Sequence, residues 1–329
     1  MTTKYNNVYL NETSTVTGPY ESKGPFSKLY DKSYDEFYFN TKTWEQAESK
    51  LIDDSVDILL AKIGKTKFDI DLFISGDLLN QITASNYAAS RLKIPYLGIY
   101  NACASSVEGL IIGANFVEQG QANSVITSVS SHNNSAEKQF RYPVEYGGPK
   151  RKTTTFTTTG GASAYLSQEK SDIRIESSTI GVVEDLGITD VYSMGAVMAP
   201  AAASTIYKHL SDLKREVGYY DLILTGDLGI YGKKILKEYM KVEYNIDLNN
   251  YDDAASMIFD IEKEPVYSGG SGPACLPLVT YSYILSEMKK GNLKRVLLVA
   301  TGALMSPTTV NQKLSIPSIA HAISLEVVS

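Results

Sequence analysis

The chain has 329 residues, 43% hydrophobic and 21% charged, a balance that supports a substantial buried core and excludes a disordered or fibrous chain. A net charge of -6, with no basic run longer than Lys150-Arg151-Lys152, argues against nucleic acid as a partner. No apolar stretch approaches the ~18–20 residues that cross a bilayer, the N-terminus shows no signal region, and the two cysteines form neither a disulfide framework nor a metal-ligand spacing. The expectation is a cytoplasmic protein, or one held at a membrane through a partner.

Residues 1–43 are rich in Tyr, Lys and Asp and have no clear period, which reads as an irregular segment wrapped on the surface or across a subunit contact. Helical spacing of Ala47, Leu51, Ile52, Val56, Leu59, Leu60 and Ile63 predicts a helix over 44–63. A strand over 71–75, a helix over 80–92 and a strand over 96–100 follow. Ser105 to Gln119 reads as a helix whose opening Ser105-Ser106-Val107-Glu108 fits a capping box. A strand over 124–130 precedes a polar loop over 131–159, then strands over 160–166 and 173–183. A small-residue loop over 187–200 leads to a helix over 202–216, a strand over 221–225 and a helix over 232–244. The last part reads as a short strand over 265–267, a Gly-rich turn, a helix over 274–290, a strand over 295–301, a loop to 318 and a strand over 320–328. Strands alternating with helices favour a parallel or mixed sheet covered by helices.

Within this order the chain contains a weak copy of itself. DLFISGDL at 71–78 returns as DLILTGDL at 221–228. GIYNACASSVEGLIIG at 98–113 has the plan of SGGSGPACLPLVTYSYIL at 268–285, and SVITSVSSHN at 124–133 that of RVLLVATGALM at 295–305. Matching elements in matching order, about 150 to 170 residues apart, imply a duplicated α/β unit, with halves at 1–170 and 171–329. Two such units bring two strand-to-helix turns toward one centre.

Cys103 lies on the first of those turns, where backbone N–H groups and the helix dipole favour anions. It is a nucleophile or a ligand contact, or else a small packing residue. Gly269-Gly270-Ser271-Gly272 is its counterpart, where glycines allow close backbone approach. Asp77 and Asp227 end the repeated strands; Asp77 reads as a cap for the next helix, and Asp227 stays open between cap and site. Of three histidines, His209 sits on an amphipathic pattern and reads as surface, while His132 and His321 lie at strand ends, where sites are built. Arg141 is suited to clamp a carboxylate, or to pair with Glu137 or Glu145.

The duplicated unit, with Cys103 on one central turn and glycines on the other, resembles the thiolase and ketoacyl synthase superfamily. Within it, SYDE (33–36), GDLLNQ (76–81), NACASS (101–106), SSHNNSAEKQFRYPVEYGG (130–148), DLGITD (185–190), MAPAAA (198–203), LILTGDL (222–228), GGSGPAC (269–275), VATGALMSP (299–307) and IPSIAH (316–321) are similar to the stage V sporulation protein AD family of spore-forming bacteria. The resemblance spans essentially the whole chain. It implies a thiolase-like, duplicated α/β/α/β/α five-layer sandwich and a homodimer. It also implies a non-catalytic protein that binds dipicolinic acid, free or as its calcium chelate, for uptake into the forespore. Such a protein works with other proteins of its operon, peripherally at the inner spore membrane, with no cofactor. Condensing enzymes of the superfamily pair their Cys with His-His or His-Asn; the corresponding stretches here, Thr225-Gly226-Asp227 and Gly270-Ser271-Gly272, offer no His. A negative charge at Asp227 would also oppose thiolate formation at Cys103. An acyl-transfer enzyme built on Cys103, with His132 or His321 substituting, is the alternative.

Dipicolinate is a flat ring with two carboxylates, so a pocket for it needs donors at its ends and an apolar slot. One carboxylate is expected at the helix N-terminus around Ala104 and Ser105, near Cys103 and Ser271-Gly272. The other is expected at His132, Arg141 or His321. Asp227 is a candidate for holding calcium carried by the chelate, and no EF-hand spacing is present.

Overall fold

The computed structural model describes residues 1–140 and 150–328. Ten strands form one sheet path among them. In chain order they are β1 (Tyr9–Thr17), β2 (Leu72–Gly76), β3 (Tyr96–Gly98), β4 (Ser124–Ser131), β5 (Gly160–Ser167), β6 (Ile173–Ile180), β7 (Leu222–Thr225), β8 (Tyr251–Asp253), β9 (Arg295–Ala303) and β10 (Ser318–Val327). Their spatial order is β8-β7-β9-β10-β6-β1-β5-β4-β2-β3, which reads the same from either end once each of the first five strands is equated with the strand five later. Pairing senses follow the same symmetry: β2 runs parallel to β3 and β4, β7 runs parallel to β8 and β9, and β5 and β10 run antiparallel to their neighbours. The two halves of the path meet only where Tyr9 of β1 pairs with Arg174 of β6.

Helices α1 (Trp44–Ile63) and α2 (Thr83–Leu92) cover the outer face of the first half. Helices α5 (Met194–Leu213) and α6 (Gly229–Tyr244) cover that of the second. Helix α3 (Ser105–Glu118) packs on β4 and β2 on one side and on β9 and β10 on the other. With the helix that opens at Cys275, it forms the middle layer, inside the largest apolar cluster. The result is the expected five-layer α/β/α/β/α sandwich.

Helix α1 has the predicted bounds because Thr43 caps its start, accepting from Gln46 N, and Gly64 in the left-handed region ends it. Other expectations needed correction. Residues 9–17 form no irregular wrap: β1 is a central strand. Its hydroxyls are satisfied inside, as in the chain Ser14 Oγ to Ser55 O, Ser55 Oγ to Ser163 Oγ and Ser163 Oγ to Ser128 Oγ, which lets a hydroxyl-rich strand be buried. Residues 18–30 do wrap, laying Gly24 against Ile258 and stacking Phe26 on Tyr283 of the second half. The expected loop over 131–159 contains α4 (Asn133–Phe140), and the loop over 187–200 is already α5 from Met194, with Pro200 inside the helix. No strand forms at 265–267; the edge strand is β8. The helix over 274–290 is α7 (Cys275–Val279), a π turn over Thr280–Ile284 and α8 (Leu285–Lys289). The last loop holds a short helix, α9 (Pro307–Asn311), capped by Ser306.

Candidate functional site

The two repeated turns converge as the duplication requires. Strand β3 leads through Asn101 and Ala102 to Cys103 and then into α3. Ala102 is held at φ 51°, a left-handed conformation that costs a residue with a Cβ about 1–3 kcal/mol. The turn is over-determined by its neighbours. Ser105 Oγ accepts from Asn101 N (2.9 Å) and donates to Ala102 O (2.9 Å). The predicted capping box is therefore absent: Ser105 holds the turn instead of capping α3, and Ala104 is the residue before the helix. Gly302 of β9 lets the turn sit on the second half, since a Cβ there would lie 2.2 Å from Asn101 O. Gly272, at φ 102°, does the same on the other side, its missing Cβ leaving room for Ser131 Oγ.

Cys103 Sγ lies 3.8 Å from Ser271 Oγ, so the two repeated turns touch through these side chains. Both line a cleft whose lining also includes Leu78, Tyr100, Phe140, Thr155, Thr157, Met194, Met198 and Met305. A second pocket, lined by residues 79–82, the end of β3, Ser306 and Pro307, shares Leu78, Tyr100, Phe140 and Met305 with it. Among the described residues no Lys, Arg or His lines the inner cleft.

Asp227 stands behind the thiol. It is fully buried, with neither oxygen in a hydrogen bond of good geometry. Burial, followed by the carboxyl of Asp253, pushes it well above the usual carboxylate range; the Gly272 and Thr301 backbone and the Cys103 thiol oppose that shift. Asp253 instead takes the capping role at α6. It accepts from Thr225 Oγ1 (2.6 Å), Leu228 N (3.2 Å) and Gly229 N (2.8 Å), and burial still raises it to about 6. Asp77 behaves as expected, accepting from Leu79 N and Ser85 N at the start of α2.

The histidines lie elsewhere. His132 is buried between Phe37 and Phe39, with Nε2 donating to Phe37 O at 2.8 Å, and it does not line the cleft. His321 lies beneath the Cys103 turn rather than in the cleft. Gly181 N–H donates to its Nδ1 (3.3 Å), which leaves Nε2 facing the Asn101 carboxamide (3.2 Å). His209 is not on the surface but fully buried, between Thr179 Oγ1 (2.7 Å) and Tyr220 OH (2.6 Å). Burial lowers all three imidazoles to about 4, so they are neutral at physiological pH. Arg141 and Glu145 lie outside the described residues.

Of the predicted site residues, the structure brings together Cys103, Ser271 and Asp227. It turns Ser105 into its own loop, sets His321 below the turn and keeps His132 apart. Met194, Met198 and Met305 went unpredicted as cleft residues; the small-residue string MAPAAA that begins at Met198 was the nearest signal. No group of three His, Cys, Asp or Glu side chains able to hold a metal occurs among the described residues. None of the described helices is long and apolar enough to cross a membrane.

Comparisons with known proteins follow the same lines. The profile of the family described as Stage V sporulation protein AD (SpoVAD) matches residues 2–326. Stage V sporulation protein AD of Bacillus subtilis is 47% identical over 319 residues, covering 97% of this chain and 94% of that protein. Among solved structures, 3-oxoacyl-[acyl-carrier-protein] synthase III from Aquifex aeolicus superposes with TM-score 0.62 at 13% identity, covering 97% of this chain and 99% of the other. An OleA variant from Xanthomonas campestris superposes with TM-score 0.61 at 13% identity, covering 98% and 99%. At such identities these structures share the fold.

Proposed function

Since the chain belongs to the stage V sporulation protein AD family, we propose that it binds dipicolinate, free or as the calcium chelate, without catalysis. In this reading it serves dipicolinate uptake into the forespore, as a peripheral homodimer beside the other proteins of its operon at the inner spore membrane. The observation that carries the reading is the cleft at Cys103. It keeps the nucleophile's position on a strained turn, yet none of the three histidines lies in it and Asp227 stands behind the thiol. Activating a thiol for acyl transfer takes a base or a neighbouring cation, and an oxyanion takes donors aimed at it. The methionine and phenylalanine side chains in the lining offer the apolar contacts that a flat aromatic ring would need. Its carboxylates would meet the hydroxyls of Ser271, Thr155 and Thr157, which line the cleft.

The runner-up is acyl transfer on Cys103, favoured by the strained turn at Ala102 and by the synthase fold. Isothermal titration with dipicolinate, with and without calcium, tests the first reading on the parent and on Cys103→Ala. Saturable binding that survives loss of the thiol is expected. Failure to bind, together with acylation of Cys103 by acyl-CoA seen in the intact mass, would establish the second. Failure of both points to a purely architectural subunit.

A further inference from the structure

Asp227 closes β7 as Asp77 closes β2, but it caps nothing, because Asp253 occupies the N–H groups at the start of α6. The titratable groups around Asp227 are the Cys103 and Cys275 thiols and the Asp253 carboxyl. Two buried carboxyls that feel one another do not both ionise, and the charge stays where donors are. Asp253 has three donors and Asp227 has none of good geometry. The proton of the pair therefore belongs to Asp227. A negative charge on Asp227, buried against the Cys103 thiol, would repel an anion bound in the cleft through a low-dielectric setting.

We infer that the Asp227 carboxyl, packed behind Cys103, holds the proton that keeps the floor of the cleft uncharged, so that a carboxylate ligand binds only together with that proton. Asp227 is a positioning residue here: it acts on the ligand through the Cys103 thiol and the field beneath it. The inference rests on the reading of the cleft as a carboxylate site. It adds that affinity is proton-linked, strong at low pH and falling as pH rises and Asp227 ionises.

Two measurements on the full chain test it. The first uses no ligand: carboxyl-¹³C aspartate labelling, with Asp227 assigned by its loss in Asp227→Asn. If that variant does not fold, the shift that Cys103→Ala imposes on the neighbouring carboxyl supplies the assignment. A protonated Asp227 at neutral pH is expected; a resonance at the ionised position overturns the inference. The second is titration with dipicolinate from about pH 6 to about pH 9, where the ligand's own carboxyls stay ionised, in two buffers of different ionisation heat. Affinity should follow the protonated fraction of Asp227 that its carboxyl resonance reports at each pH, with proton uptake on binding wherever that fraction falls. In Asp227→Asn, whose side chain is always neutral, the dependence should vanish. An affinity that does not follow the protonated fraction of Asp227, or an unchanged slope in Asp227→Asn, overturns the proton linkage. A protonated Asp227 with no dipicolinate binding at any pH instead overturns the carboxylate-site reading.

Discussion

Asp77 and Asp227 end equivalent strands of the two repeats, yet Asp77 accepts two backbone N–H groups at the next helix and Asp227 accepts none of good geometry. The difference comes from Asp253 at the end of β8, which reaches the start of α6 first. One copy of the duplicated aspartate was thereby released from structure and left facing the thiol of the other half.

The two aspartates should therefore fail differently when replaced. Asp77→Ala strands the N–H groups of Leu79 and Ser85 and should cost about 1–3 kcal/mol in urea unfolding. Asp227→Asn removes no hydrogen bond of good geometry and exchanges one neutral side chain for another of the same shape, so its cost should be near zero. Equal losses in both would show that Asp227 bears structure after all.

Gly302→Ala should displace the Cys103 turn. A Cβ 2.2 Å from Asn101 O cannot be accommodated without backbone movement. A loss of about 1–3 kcal/mol is expected, with a changed rate of Cys103 alkylation by iodoacetamide. Gly218, where a Cβ meets nothing within 4 Å, provides the control, and Gly218→Ala should leave the alkylation rate unchanged.

Between about pH 4.5 and about 8, Glu21 should withdraw stability as pH rises. Glu21 is buried, with one oxygen accepting from Thr159 N and the other unpartnered, and burial raises it to about 8. Unfolded, it gives up its proton near pH 4.5; folded, it keeps it to about 8. The native state thus binds more protons in that window, and stability falls by up to ~1.4 kcal/mol per pH unit. Thermal melts from pH 6.5 to 8 should show a shallower decline in Glu21→Gln than in the parent; parallel profiles would refute this.

Acid should act through the histidines with the opposite sign. Unfolded imidazoles take up protons below about 6.5, while the three buried ones resist until about 4. Each withdraws stability as pH falls through that window, up to ~3 kcal/mol per residue. Urea midpoints at pH 6.5 and pH 4.5 check this. His132→Phe, in the aromatic setting of Phe37 and Phe39, should reduce the drop. An equal drop in parent and variant would exclude His132 from it.

What the sequence alone determined was the periodic part of the molecule. The apolar stripe of α1, the runs that became β2, β4, β7 and β9, and the recurrence of GDL and of the small-residue turns implied a duplicated α/β unit with Cys103 on one of its central turns. Those signals are legible because helix and strand periods, and repeats, are properties of neighbouring residues. Only the tertiary structure decided that hydroxyl-rich β1 is core, because its partners Ser55 and Ser163 come from distant segments. It likewise turned Ser105 inward, sent His132 to Phe37 and His209 to Tyr220, and left Asp227 without a helix to cap. A polar side chain's role is set by which donors reach it first, and in this fold those donors arrive from strands and turns far along the chain.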